Sequence, residues 1–404
     1  MRFSRRDFLA GVLITGTLSA AATYYAPGGR PRTSVTLNFV TGEDPTGARN
    51  LLVAMWNQAN PETRIQVDQV GGSTADQRTQ MLSRVADGAA DVLNLDIINI
   101  PLFRQQGHIR PLPLRPDDFL PRTLVPSTDD GEFWAAPFTA DVGMLFARGA
   151  AGSATVSAPA VPLRTVIDRS VPPGSGQFAG QLGPLSTSTL EAFVVNVLEH
   201  VLSRNPAVVE EERNGWPAEL EVWLEAVEPL QAACSDGRIV RCDGEDDSRD
   251  RFRKGALRFM RNWPVKYREL QVAEDPGIDS SSVLVRALPT GILGGQSLAV
   301  SRDCVAPERA EAFIAYLTGE PSQKILASHG LPSTSPAVYA DRNLEAFIPH
   351  LRNVRGAVET ARLRPVHPRY PAYSEVLDRH MRALLDQGSG LTTQFVDELR
   401  ATLS

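Results

Sequence analysis

The chain has 404 residues, of which 42% are hydrophobic and 22% are charged, and its formal net charge is −6. These proportions are ordinary for a soluble globular protein, and the length is sufficient for two domains with a large buried core. The acidic balance lacks the basic footprint of a nucleic-acid-binding protein, so no nucleic-acid partner is expected.

The first 30 residues predict a twin-arginine-type export signal with a short linker. Arg5 and Arg6 stand directly before an apolar stretch that runs from 8 to about 22, which is the arrangement of an export address. Small residues at 20–22 offer a cleavage site. The apolar stretch is shorter than the roughly 20 residues that a spanning helix needs. We therefore predict export by the twin-arginine route to the cell surface or periplasm rather than a permanent anchor.

Strands and helices alternate in the first part of the chain. Strands are indicated where apolar and polar residues alternate, and helices where apolar residues recur at i, i+3 and i+4. The pattern predicts strands at 35–39, 64–70 and 91–96 and helices at 48–59, 75–86 and 99–106. This order implies right-handed crossovers and a mostly parallel sheet, which is the organisation of an α/β domain.

Helical patterns dominate the second half of the chain. Residues 133–146 first predict two short extended segments, and the stretch 149–184, rich in Gly, Ser, Ala and Pro, gives no pattern from which an element is assigned. The helices predicted after it are 189–202, 217–233, 247–261, 307–317, 321–327, 374–385 and 393–403, with strands at 283–288 and 298–300. No internal repeat of the solenoid type is present.

The three cysteines predict one disulfide. Cys234 and Cys242 bracket a turn-forming segment in a chain that is destined for an oxidising compartment, so a local disulfide between them is expected. Cys304 is left over, and we expect it to be buried as a small hydrophobic residue.

Four stretches carry a recognisable order of motifs: a small-residue turn with a strand that ends in an acid, an aromatic-x-x-Pro segment, a glycine turn before paired helices, and an Arg-Pro turn near the C-terminus. The stretches are Asp87–Asp96, Phe133–Phe138, Leu293–Leu298 with 307–317 and 323–330, and Arg364–Tyr370 with Ser374. In this order they resemble the extracellular solute-binding proteins of ABC importers, the group that contains the maltose and other sugar receptors.

The resemblance implies an α/β, two-lobed periplasmic-binding-protein-like fold with a hinge and an interlobe ligand cleft. It predicts a first lobe at 31–140 with a returning segment at about 299–345, and a helix-rich second lobe at 141–298. Helices of 346–404 would pack on the second lobe and the hinge. The expected partners are a small hydrophilic ligand and the permease subunits of the importer. We expect a monomer without a cofactor.

The loop after the first strand supplies the first candidate ligand residues, Gly42, Glu43 and Asp44. A backbone without side-chain bulk can approach a ligand closely there, and a carboxylate can accept hydrogen bonds from two hydroxyl groups. Asp44 is equally consistent with capping the helix that follows.

Asp96 and Asp141 are the next candidates, because Asp96 ends the third strand and Asp141 follows the first crossing between lobes. Ligands of open α/β sheets lie beyond the carboxyl ends of the strands. The alternative for Asp96 is capping of the next helix, and the alternative for Asp141 is a hydrogen bond to hinge backbone.

Trp263 is the predicted aromatic platform, since sugars present flat apolar faces and the family commonly places an aromatic residue just past a helix at this point. Trp56 and Trp223 fall on apolar helix stripes, which predicts core packing for both. Trp134 fits either role.

The turn Gly294-Gly295-Gln296 offers backbone N–H groups and an amide to a ligand, although a plain tight turn is the alternative. Arg364 is predicted to bind a hydroxyl or anionic group, or else to hold the C-terminal turn in place.

The sequence indicates binding without chemistry. Six histidines are scattered without metal spacing, and no nucleophile elbow is present. The predicted solute is a mono- or disaccharide, a polyol or a glycerol-phosphate diester. Two alternatives remain at this point: a secreted glycoside hydrolase that uses a carboxylate pair such as Glu43 and Asp96, and a surface sensor that closes on its ligand.

Overall fold

The computed structural model describes residues 34–149, 159–184, 190–272 and 278–404. The predicted export signal, with Arg5 and Arg6, lies outside these residues. Among the helices of the described residues, none combines the length and apolarity that crossing a membrane requires.

The strands of the described residues are short, and most belong to two sheets. In chain order they are β1 (Val35–Thr41), β2 (Thr63–Gln69), β3 (Val92–Asp96), β4 (Ile109–Arg110), β5 (Thr128–Asp129), β6 (Glu132–Phe133), β7 (Ala136–Thr139), β8 (Met144–Arg148), β9 (Phe178–Gly180), β10 (Val209–Glu210), β11 (Trp216–Pro217), β12 (Ile239–Arg241), β13 (Phe259–Asn262), β14 (Val283–Ala287) and β15 (Gln296–Ser301).

Helices cover both sheets. In chain order they are α1 (Ala48–Ala59), α2 (Thr74–Ala86), α3 (Ile100–Gln105), α4 (Pro121–Leu124), α5 (Leu163–Ser170), α6 (Leu190–Arg204), α7 (Leu220–Ser235), α8 (Glu245–Arg253), α9 (Val265–Val272), α10 (Pro307–Thr318), α11 (Glu320–Ser328), α12 (Pro336–Tyr339), α13 (Arg342–Phe347), α14 (Leu351–Thr360), α15 (Tyr370–Gln387) and α16 (Thr393–Leu403).

The first sheet has the strand order β2–β1–β3–β15–β4, and β7 also pairs with β15. Strand β1 runs parallel to β2 and β3, whereas β15 is antiparallel to its neighbours. Helices α1 and α10 pack on this sheet, where the Trp56 and Phe313 ring centroids lie 5.3 Å apart. The predicted core position of Trp56 is confirmed. We call this sheet with its helices the first lobe.

The second sheet has the strand order β12–β9–β13–β8–β14. Its core is formed largely by α6 and α7, and the C-terminal helices α15 and α16 pack against the same helices. Trp223 is fully buried, with its ring centroid 5.1 Å from that of Phe395, so its predicted core position is confirmed. We call this sheet with its helices the second lobe.

The helix predicted at 247–261 is wrong in its second half. Helix α8 ends at Arg253, Gly255 has a φ of 101°, and the chain then enters β13. Pairing of β13 with β8 and β9 buries Phe259 and Met260 at the centre of the sheet. This tertiary pairing outweighs the local helical spacing. Trp263 therefore follows a strand rather than a helix.

The hinge consists of two crossing segments, 140–143 between β7 and β8 and 288–295 between β14 and β15. They lie side by side: Val142 and Leu293 form a β-bridge, and the Gly294 N–H donates to the Asp141 carbonyl over 2.7 Å. The later helix α14 packs on β14, where the Asn353 side chain donates to the Val285 carbonyl.

The predicted disulfide is absent, because Cys234, Cys242 and Cys304 are all free thiols. Cys234 lies in the last turn of α7 and packs against the core, whereas the Cys242 thiol is directed at the Val240 carbonyl. Local secondary structure thus directs the two thiols to different neighbours. Cys304 is 8% exposed, which confirms its predicted burial.

Candidate ligand-binding cleft

A cleft of about 850 Å³ lies between the lobes. The first lobe contributes Glu43, residues 72–75, Gln77 and Arg78 to its wall. The second lobe contributes a stretch from Asp243 to Arg249, together with Glu191 from the first turn of α6 and Glu375 from the N-terminal half of α15. Of the ten residues predicted to contact a ligand, Glu43 lines this cleft directly.

Six other predicted residues lie together beside the hinge. They are connected to the cleft wall through two of its carboxylates, because Trp263 donates to Glu245 and Arg364 is paired with Glu191. We call this group the cleft floor; its members are Asp96, Asp141, Trp263, Gly294, Gln296 and Arg364.

Trp263 is held in a fixed orientation at the floor. Its indole N–H donates to the Glu245 carboxylate, and the Arg261 guanidinium lies 4.0 Å from the ring centroid. A Cβ atom on Gly294 would lie 3.3 Å from the ring, so glycine lets the hinge approach the indole closely. The half-buried ring is thus supported by a cation on one side and bonded at its edge.

The Arg261 guanidinium that contacts the Trp263 indole belongs to a fully buried ion pair with Glu199. The Arg261 and Glu199 side chains are both 0% exposed, and the second Arg261–Glu199 hydrogen bond measures 2.7 Å. Glu199 also accepts the backbone N–H of Ile292, in the hinge, over 2.9 Å. Gly143 leaves room for this pair, since a Cβ there would lie 1.9 Å from the Glu199 carboxylate. The Arg261–Glu199 pair therefore contacts both crossing segments of the hinge as well as the Trp263 ring.

Burial and neighbouring acids disfavour the charged form of both floor aspartates. Desolvation, followed by the negative charges of Glu245 and Asp96, raises the pKa of Asp141 to about 7. Desolvation likewise raises the pKa of Asp96, although Arg364 opposes this effect. The Asp96 carboxylate accepts the Ile98 N–H over 3.2 Å, so it caps the following turn, while Oδ1 of Asp141 is buried without a donor.

Replacing Asp141 by asparagine is expected to stabilise the protein at pH 8 by about 2 kcal/mol. The folded pKa is raised above that of the unfolded chain, so the folded state binds the extra proton and the wild type loses stability as pH rises from about 4 to 7. Urea unfolding of both proteins at pH 5 and pH 8 measures the difference. A gap that does not widen with pH would contradict this account.

Arg364 is engaged mainly in holding the C-terminal turn. Its guanidinium donates to Glu191 over 2.9 Å and to the Leu293 carbonyl over 3.3 Å, and it lies 3.7 Å from Asp96. Tyr370 and Ser374 donate to the same Glu191 carboxylate. This network joins the first lobe, the hinge and the C-terminal helices.

The remaining predicted residues have local backbone roles. The Gly42 carbonyl accepts a hydrogen bond from Arg49, and Asp44 accepts the N–H of Asn50 in the first turn of α1, so the capping alternative for Asp44 is present. Gly295 has a φ of 105°, and a Cβ there would lie 2.1 Å from the Thr139 carbonyl oxygen. Only glycine fits this turn.

Gln296 belongs to a polar cluster at the end of the first sheet. Its side-chain oxygen accepts a hydrogen bond from Asn94 over 2.7 Å, and the same Asn94 amide donates to Thr41 over 3.0 Å. Asn94 is 1% exposed and its Oδ1 has no donor. The cluster thus leaves an acceptor unsatisfied at the strand ends.

Sequence reasoning missed most of the second-lobe wall. The acidic stretch 243–247, Arg249, Lys266 and Glu191 were not singled out as candidate ligand residues. The available signal was the density of acids in 243–250, upstream of Trp263 in the chain.

A sequence profile described as bacterial extracellular solute-binding protein matches residues 51–347, which is most of the chain. The chain belongs to this family. The predicted family is therefore confirmed, and membership implies a location outside the cytoplasm and a binding role instead of an enzymatic one. The alternative of a glycoside hydrolase has no support in this family.

Solved structures of similar proteins extend over almost the whole chain. Maltose-bound MalE3 of T. maritima is 22% identical with a TM-score of 0.75, and the match covers 92% of this chain and 99% of that one. The GacH receptor of Streptomyces glaucescens is 17% identical with a TM-score of 0.71, covering 92% and 96%. A ribitol complex of a solute-binding protein from Agrobacterium radiobacter K84 is 20% identical with a TM-score of 0.67, covering 92% and 98%. These similarities confirm the predicted two-lobed α/β fold.

A curated relative from Deinococcus radiodurans is named a probable ABC transporter-binding protein. It is 28% identical over 171 residues, which are 40% of this chain and 40% of the relative. The match thus spans less than half of the length of that relative.

Proposed function

We propose that the protein is the receptor component of an ABC importer and that it binds a carbohydrate or polyol between its lobes. The observation that carries the proposal is the half-buried Trp263 indole, held beside Glu245, Asp96 and Asp141 in the floor of the interlobe cleft. An aromatic face next to hydrogen-bonding carboxylates suits a molecule with apolar ring faces and hydroxyl edges.

The names of related proteins agree with this ligand class. Among the similar solved structures, the T. maritima protein is bound to maltose, the Agrobacterium radiobacter protein to ribitol and a protein of Agrobacterium vitis to D-mannitol. The name of the Deinococcus relative supports an ABC transporter as the partner.

Binding is proposed to act through closure of the lobes. The first lobe offers Glu43, Asp96 and Gln296, and the second lobe offers Trp263 and Glu245. A ligand that contacts both sets binds the closed arrangement more tightly than the open one, and so shifts the population toward closure. The permease subunits would then distinguish loaded from empty receptor by its shape.

Three further proposals complete the assignment. Arg5 and Arg6 support export by the twin-arginine route. We also propose that the receptor acts as a monomer with the permease subunits as its protein partners. Arg364 and Asp44 are proposed to support the ligand contacts indirectly, since both already hold protein groups.

A thermal-shift panel of sugars and polyols tests the proposal. At a ligand concentration of about 100 times Kd, binding is expected to stabilise the folded state by about 2.7 kcal/mol, which raises Tm by several degrees. Maltose, ribitol and mannitol at millimolar concentration would be compared with glycine as a control, and the bound compound would be recovered unchanged. A flat response over the whole panel would contradict the carbohydrate assignment.

A further inference from the structure

The interlobe cleft is strongly acidic. Its lining includes Arg78, Arg249 and Lys266 as basic side chains. The acids that line it are Glu43, Glu191, Asp243, Glu245, Asp246, Asp247, Glu269 and Glu375. Two of the three basic groups are already engaged, because Arg249 and Lys266 both pair with Asp246 and Glu269. The excess of negative charge is therefore not balanced within the cleft wall.

Some of these acids have no cationic partner. Within the described residues, Glu43, Glu245 and Glu375 form no ion pair, although Glu245 accepts the Trp263 indole N–H. Behind the floor, Arg261 and Arg364 are committed to Glu199 and Glu191 respectively. Arg364 also lies 3.7 Å from Asp96, whereas Asp141 and Glu245 form no ion pair in the part of the chain that the structure describes.

Unsatisfied acceptors at the floor provide a second, independent observation. Oδ1 of Asp141 is buried and accepts no hydrogen bond, and the same holds for Oδ1 of Asn94, a side chain that is 1% exposed. A buried acceptor without a donor costs free energy, about 1 to 3 kcal/mol, that a donor from a ligand would recover. Asp141 belongs to the cleft floor, and Asn94 of β3 is hydrogen-bonded to Gln296 of the floor.

The arrangement does not suit a metal ion. Among the described residues, no three Asp, Glu, His or Cys side chains converge closely enough to coordinate one. The acids are instead distributed around a cavity of about 850 Å³. Such spacing matches a positive charge carried on a larger organic molecule, which the Trp263 ring face can also attract.

We propose that the ligand is a polyhydroxylated compound that carries a protonated nitrogen, such as an amino sugar or amino polyol, with the nitrogen held between Asp141 and Glu245. The polyhydroxylated character of the ligand rests on the proposed function, and the positive charge on the ligand is the new inference. An N–H donor would satisfy Asp141 Oδ1, and its charge would relieve the repulsion among the floor carboxylates. An anionic solute such as a glycerol-phosphate diester would increase that repulsion.

Binding of a cation beside Asp141 is expected to depend on pH. Asp141 faces Glu245 of α8, Asp96 of β3, Arg261 of β13, Lys266 of α9 and Tyr339 of α12. Burial and its acidic neighbours raise the pKa of Asp141 to about 7. A cation binds the ionised carboxylate, so its affinity is expected to fall about tenfold between pH 8 and pH 6 as Asp141 becomes protonated. A neutral sugar lacks this dependence.

Calorimetric titration with matched compounds tests the proposal. The probes are D-glucamine against D-glucitol, and 6-amino-6-deoxy-D-glucose against D-glucose, with spermidine as an amine without hydroxyl groups. Alkyl amines of this kind stay protonated from pH 6 to 8, as the lysine ammonium does. Each amino compound is expected to bind at least about tenfold more tightly than its neutral counterpart at pH 8.

Variants test whether the preference for amino compounds over neutral compounds arises from the carboxylates at the cleft floor. Asp141→Asn and, independently, Glu245→Gln are expected to reduce it below threefold, and Asp141→Asn is expected to remove the pH dependence. Glu212→Gln, a change at an exposed acid outside the cleft lining, serves as the control and is expected to leave the preference unchanged.

The outcomes separate the two proposals. Neutral compounds that bind as tightly as their amino counterparts would overturn the charge inference and leave the proposed function intact. If spermidine binds and none of the polyhydroxylated compounds does, the positive charge of the ligand would be supported and the carbohydrate assignment would be overturned. An absence of binding by every probe at millimolar concentration would overturn both.

Discussion

Replacing Arg261 by methionine is expected to lower the free energy of unfolding by about 3 to 5 kcal/mol. The change leaves the Glu199 carboxylate in a site where both side chains are 0% exposed. Bulk solvent therefore does not reach the unpaired charge. Glu199 would keep the neutral Ile292 N–H as a donor, which is insufficient to replace a guanidinium.

Urea unfolding with Arg355→Met as the control measures this effect. Arg355 pairs with Glu359, but the two side chains are 42% and 41% exposed, so the control is expected to lose less than about 1 kcal/mol. The double variant Glu199→Gln with Arg261→Met is expected to recover part of the loss, since no charge remains buried. Equal losses for Arg261→Met and Arg355→Met would show that the buried pair is not important for stability.

Replacing Trp263 by alanine is expected to weaken binding of a sugar or polyol by at least about 2 kcal/mol, or roughly thirtyfold in Kd. The change removes the ring face and releases Glu245 from its indole donor. Calorimetric titration measures the loss with whichever compound of the sugar and polyol panel gives the largest thermal shift.

Trp216→Ala is the matched control for Trp263→Ala. Trp216 lies in β11 of the second lobe, beside Arg213 and Arg400 and outside the cleft lining. Its replacement is expected to leave the Kd unchanged within about twofold. Similar losses for both tryptophan variants would place the ligand elsewhere.

Much of the fold follows from local sequence patterns. The alternation of Val35, Leu37 and Phe39 predicted β1, and the apolar spacing of residues 307–317 predicted α10 with nearly its observed bounds. Both patterns are strong because one face of each element is buried. The helix prediction at 247–261 was wrong because pairing within a sheet, which no local pattern reveals, decides the conformation of β13.

Fewer features of the candidate site than of the fold could be predicted from the sequence. Strand ends and the hinge are predictable positions, and this is why Asp96 and Asp141 were predicted to border a cleft, whereas Trp263 was predicted from the family resemblance. The second-lobe wall depends on how α8 and α9 are placed against α2 across the hinge, and this placement is a property of the tertiary structure. The Arg261–Glu199 pair was likewise missed, since its partners are 62 residues apart.

Mass spectrometry of small molecules released from the purified protein tests the central claim most directly, namely that the lobes hold a hydrophilic molecule and release it unchanged. We expect a polyhydroxylated compound in about equimolar amount from the wild type. The same compound should be strongly depleted in Trp263→Ala and have an unaltered mass after rebinding and release. A wild-type protein that binds no such compound, or that returns it with an altered mass, would contradict the account.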